Sequence, residues 1–89
     1  MAIDPLASFG DAPSAPARDA FAISPHDSLE LASVTKALYV GTAGDVVLRT
    51  VGGASDVTFA NVPVGAILPV RAIAVRATGT TAANIVGLA

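Results

Sequence analysis

Beyond Asp56 the chain continues to Ala89 with only two charged residues, Arg71 and Arg76, among Val, Ile, Leu, Ala, Thr and Gly. A segment with so few groups to face water has to cover its surface in some other way. Turn signals divide this region and the stretch before it into short runs: Gly41-Thr42-Ala43-Gly44-Asp45, Gly52-Gly53-Ala54-Ser55-Asp56, Pro63-Val64-Gly65 and Thr78-Gly79-Thr80-Thr81. Short β-prone runs between such clusters predict a small all-β domain, an antiparallel sandwich or barrel of five or six strands.

Size sharpens the problem. A chain of 89 residues is one domain at most and buries only about 60–65% of its unfolded surface by folding alone. Small folds compensate with disulfides, a metal or oligomerisation. The sequence has no cysteine, which removes disulfides and thiolate zinc sites, and His26 is its single histidine. A nitrogen-rich metal site within one chain is thereby excluded, and no cofactor is expected. Subunit contacts remain, so the chain is expected to be a homo-oligomer.

Membrane and nucleic-acid partners are disfavoured for separate reasons. The hydrophobic fraction is 53% and mean hydropathy +0.67, but the most apolar run, residues 62–70, contains Pro63, Gly65 and Pro69 and ends at Arg71. A spanning helix needs about 20 apolar residues, so no membrane insertion is expected. No basic n-region and apolar h-region open the sequence, which fits synthesis and assembly in the cytoplasm. The net charge of −2 argues against duplex nucleic acid. Residues 1–35 carry a net −4 and residues 36–89 a net +2, so an acidic N-terminal part can lie on the basic part of a neighbouring copy.

Two regions follow from the proline pattern. Residues 1–25 hold Pro5, Pro13, Pro16 and Pro25, which favour extended backbone and predict an arm, with the β domain at 26–89. Ile3, Leu6 and Phe9 are large apolar anchors that tails without a partner lack. They are the candidate partner-binding residues of an arm that orders on docking. Phe21 and Ile23 are candidate subunit contacts, together with Arg71 and Arg76. Residues 26–35 fit either a capped helical turn, with Leu29, Ala32 and Lys36 at helical spacing, or a strand with Leu29 and Leu31 alternating. A short turn leading into a strand is expected.

From Lys36 the alternation is clearer. Leu38 and Val40 share one face of a strand over 36–40, opposite Ala37 and Tyr39. Val46, Leu48 and Thr50 oppose Val47, Arg49 and Val51 in the next strand. A third, over 56–61, is expected to turn Val57 and Phe59 inward. Residues 63–65 make a corner. Residues 68–78 read as one long strand with Val70, Ala72 and Ala74 on one face and a switch of face near Arg76. A last strand covers 83–88.

Candidate chemistry is thin, and no enzymatic activity is expected. Ser24-Pro25-His26-Asp27-Ser28 contains the residue types of a hydrolase triad, but near-consecutive side chains diverge instead of converging. A turn that starts the core explains it better. Asp27 and Glu30 form no pair across a cleft that so short a chain would provide. Gly41–Asp45 lacks the Lys and following helix of a phosphate cradle, which leaves a hairpin loop. Arg49, Arg71 and Arg76 lack the aromatic interleaving of a nucleic-acid surface.

Four stretches together resemble a family. They are Leu38-Tyr39-Val40-Gly41-Thr42-Ala43-Gly44-Asp45, Val57-Thr58-Phe59-Ala60-Asn61-Val62-Pro63-Val64-Gly65, Ile67-Leu68-Pro69-Val70-Arg71 and Ala77-Thr78-Gly79-Thr80-Thr81-Ala82. In this order they resemble the head-spike base proteins of gene transfer agents and related tailed phages, over roughly residues 19–89. The resemblance implies a structural protein of the virion or gene transfer agent particle. It would form a pentameric ring on the capsid vertex, contact the capsid vertex protein and carry a separate spike fibre. The alternative is a β module that binds a glycan or peptide through Arg49, Arg71, Arg76 and Tyr39.

Overall fold

The computed structural model describes residues 16–89. Seven strands and no helix occur among them: β1 (Ala20–Ala22), β2 (Ala37–Thr42), β3 (Gly44–Thr50), β4 (Val57–Val62), β5 (Ala66–Leu68), β6 (Ala72–Val75) and β7 (Ala83–Leu88). They form two antiparallel sheets, one in the order β1-β7-β2-β5 (sheet A) and the other β4-β3-β6 (sheet B). The all-β sandwich is as expected. The strand count exceeds five or six by the three-residue pieces β1 and β5. β1 lies inside the segment read as an arm, yet it is a strand of sheet A, paired with β7.

The core lies where the alternation put it. Leu38 and Val40 of sheet A meet Val46 and Leu48 of sheet B, all fully buried, with Ile85, Val75 and Ala72 around them. Burying each such aliphatic side chain stabilises the fold by about 1.5–3 kcal/mol. Phe21 and Ile23 close one end of this core. Gly87 makes room there, because a Cβ on it would stand 2.7 Å from Phe21 Cζ.

Three readings need correction. First, residues 41–45 are no hairpin loop: β2 and β3 lie in different sheets, and the chain crosses the sandwich at Ala43-Gly44. Gly44 is fixed by this crossing, since a Cβ there would stand 2.5 Å from the backbone nitrogen of Ala82. Second, residues 68–78 are no continuous strand. β5 ends at Leu68 against β2 in sheet A, and the chain crosses through Pro69 to β6, which pairs with β3 in sheet B. Proline cannot continue a ladder, which suits the break. Within β6 the register shifts, with Arg49 opposite Ala74 but Thr50 opposite Ala72. This bulge brings Ala72 and Val75 to the core side together and moves the predicted change of face ahead of Arg76. Third, Val57 is 52% exposed, although it shares the inward face of β4 with Phe59. It sits at the first residue of an edge strand, where no second neighbour covers it.

Candidate interaction surfaces

Residues 26–35 form neither helix nor strand. They are a strap hydrogen-bonded along the free edge of β6. His26 N–H donates to Val75 O, Leu31 N–H to Ile73 O and Thr35 N–H to Ala72 O. Thr35 is fully buried, and its hydroxyl donates to Val70 O at 3.0 Å while accepting from Ala72 N–H at 2.9 Å. One side chain thus supplies the donor and acceptor that the backbone loses where the chain changes sheets.

The strap's first turn is set by His26 and Asp27. His26 Nδ1 accepts from the Ser28 and Leu29 N–H groups, each at 3.1 Å. Ser28 Oγ also lies 3.3 Å from this nitrogen, but the Asp27 carboxylate points elsewhere. Its oxygens accept from Thr78 N–H at 2.8 Å and the Thr78 hydroxyl at 2.7 Å. These bonds hold the Asp27 carboxyl below the usual carboxylate range, with smaller help from Ala77 N–H and His26. Ser28 and His26 thus meet, against the divergence expected of near-consecutive side chains, but Asp27 is held by Thr78 and does not join them.

The candidate contact residues are dispersed. Ile3, Leu6 and Phe9 lie outside the described residues. Phe21 is half-buried and Ile23 buried in this chain's own core. The Arg76 guanidinium is engaged within the chain: Nε lies 3.3 Å from both Asp56 carboxylate oxygens, and Nη1 donates to Asp27 O at 3.2 Å. Arg71 is exposed, and its side chain has no hydrogen bond or ion pair among the described residues. Arg49 Nε donates to Gly53 O and braces the β3–β4 hairpin. Arg49 lies on the outer face of sheet B, opposite Ala74. Tyr39 lies on the outer face of sheet A beside Ile67 and Val86. The cluster suggested for a glycan or peptide is thus divided between opposite faces of the sandwich.

Two lateral sides of the sandwich are better candidates. On one, the edge strands β4 and β5 of the two sheets follow each other in the chain, joined by the corner at 63–65. Residues 57–70 carry no charge, and Val57, Val64 and Ile67 are exposed there. Val47 turns its N–H and C=O away from β4, toward Thr80 Oγ1 and Arg76 N–H. By the alternation of a strand, Val46 and Leu48 then bond β4 through Phe59 and Val57. Thr58 and Ala60 therefore aim their backbone groups outward, with no partner among the described residues. On the opposite side, β1 and the strap enclose a groove of about 300 Å³. Phe21, Ile23, Leu31 and Val75 line it with Leu29 and Glu30. Leu29 is 64% exposed. The strap motif left no clear sequence signal, because Thr35 reads as one more β-branched residue.

Fold and surface together define a small β-sandwich protein whose distinctive features are faces for contact. No family model matches the sequence, and no curated protein does. A solved structure does: a chain of a structure described as the capsid of a native GTA particle computed with C5 symmetry. It is 42% identical, with a TM-score of 0.85, over 98% of this chain and 100% of that one. At that identity and coverage, the chain belongs to this family of gene transfer agent capsid-particle proteins.

Proposed function

We propose that the chain is a non-enzymatic structural component of the particle head, forming a pentameric ring on the capsid vertex as the base for a spike fibre. The observation that carries this reading is the full-length match to a chain of a gene transfer agent capsid at 42% identity. Three further features support it. The matched particle was treated with fivefold symmetry, the symmetry that a capsid vertex offers a ring. The apolar β4–β5 side suits contact with another subunit. The order of glycine and proline turns resembles that of head-spike base proteins. Arg71, exposed and without a described partner, is available for a carboxylate on a neighbour, whereas Arg76 is already held by Asp56. In this reading Ile3, Leu6 and Phe9 anchor the N-terminal part to the capsid or to a neighbouring copy.

Deleting the gene tests the role. Particles should assemble with intact heads, and electron microscopy should show vertices without fibres. Fibres at normal occupancy would overturn the base role. Light scattering on the purified protein, alone and co-expressed with capsid protein, tests the ring. A stable monomer in both settings rules it out.

A further inference from the structure

The two lateral sides of the sandwich are unlike in shape as well as in sequence. One carries a projection. At the corner, Gly65 N–H donates to Val40 O and Ala66 N–H to Pro63 O, so its base is fixed to β2. Its tip is bare: Val64 is 69% exposed, the most exposed large apolar side chain among the described residues. A Cβ added at Gly65 would have nothing within 4 Å. The other side carries the groove between β1 and the strap, with Leu29 at its mouth. Its volume of about 300 Å³ is roughly twice the ~150 Å³ apolar cavity that accepts a benzene-sized group. The three-residue corner ties edge strand β4 to edge strand β5, while the strap and groove join edge strand β1 to edge strand β6, so the two features lie on opposite sides.

We infer that copies of this chain join head to tail, with Val64 of one copy seated beside Leu29 in the β1–strap groove of the next. A projection and a groove on opposite sides make a heterologous contact, which closes into a ring where the rotation between copies closes and otherwise runs on as an open filament; the ring reading above requires the first. The uncharged segment from Val57 to Val70 suits the apolar part of the groove formed by Phe21, Ile23, Leu29 and Leu31, and brings no like charge against Glu30 at its wall. Area also separates a ring from a pair. The β4–β5 side measures roughly 20 by 20 Å from strand rise and sheet spacing. One contact then buries roughly 800 Å² in total, below the ~1,200 Å² of a stable pairwise interface. Two copies therefore do not hold together alone. Closure gives every copy two contacts, and the assembly forms without a populated dimer. This rests on the ring reading above and assigns its interface.

The natural chain has no cysteine, so the contact is testable by crosslinking. In the full chain, Leu29→Cys combined with Val64→Cys should give, on oxidation, a non-reducing gel ladder that ends at the closed ring. Each single variant should stay at monomer size. Dimers from Val64→Cys alone would mean that tips meet tips, and would overturn the head-to-tail contact. Independently, Val64→Asp should weaken assembly about tenfold or more by placing a charge in the apolar groove. At concentrations too low for assembly its urea midpoint should match the parent, because Val64 is exposed. A ring that survives Val64→Asp and yields no ladder places the interface elsewhere and leaves the ring reading standing. A wild-type chain that stays monomeric alone and with capsid protein removes both.

Discussion

The two edges of sheet B are made of similar material, uncharged and β-prone, but they are finished differently. Along β6 the strap at 26–35 supplies backbone partners, and the Thr35 hydroxyl fills the gap at the change of sheet. Along β4 no described residue pairs with the outer side, although Thr58 and Ala60 turn their backbone groups that way. Natural proteins normally blunt an open edge with lysine, proline or a covering segment. β4 has no charge, and its bulge comes only at the far end, where Asn61 takes a φ of 56°. Among the described residues, then, one edge of sheet B is covered and the other is not. The uncovered edge borders the Val64 projection, which makes it the natural side for a neighbour.

The largest test of this contrast is Thr35→Val. It keeps the bulk but leaves Ala72 N–H and Val70 O unpaired in the interior, and should cost about 3 kcal/mol. A fall in the urea midpoint at unchanged m-value would show it; an unchanged midpoint would mean that the strap contributes little. An intermediate effect is expected from acid. The Asp27 carboxyl is held low by Thr78, so its contribution is fully present above its unfolded value near 3.8. That contribution is lost as pH falls through the lower folded value. Asp27→Asn should therefore flatten the loss of stability below about pH 4, read from thermal midpoints across an acid series. The smallest effect belongs to the bare edge. Thr58→Pro removes an outward N–H with no partner among the described residues and should shift stability by about 0.5 kcal/mol or less. A shift as large as that of Thr35→Val would show that β4 is not open and would undo the comparison.

Much of the sandwich was legible in local pattern. Leu38 and Val40, then Val46 and Leu48, alternate with period two, and those four side chains are the buried centre. The corner at 63–65 and the last strand were equally plain from Pro, Gly and the apolar run. The misreadings share one cause. Alternation states which side chains share a face but does not name the strand beside them. Residues 41–45 look the same whether β3 folds back on β2 or crosses to the other sheet. The bulge in β6 left no mark either, because Ala72 through Val75 are all small or apolar. The divided arginines were missed for a similar reason: Arg49, Arg71 and Arg76 are separated by turns whose directions the sequence does not state.

By itself, then, the sequence determined that this chain is all-β, free of disulfides, poor in charge beyond Asp56 and short of surface to give to water. Those properties follow from composition and local period, which act within a few residues. Only the tertiary structure decided where the uncharged stretch faces. Gly44 sends β3 into the second sheet because the backbone of Ala82 leaves no room for a Cβ, and Thr35 closes one edge from 37 residues away in sequence. Such contacts between distant residues put Val57, Val64 and Ile67 on one open side and the groove on the other.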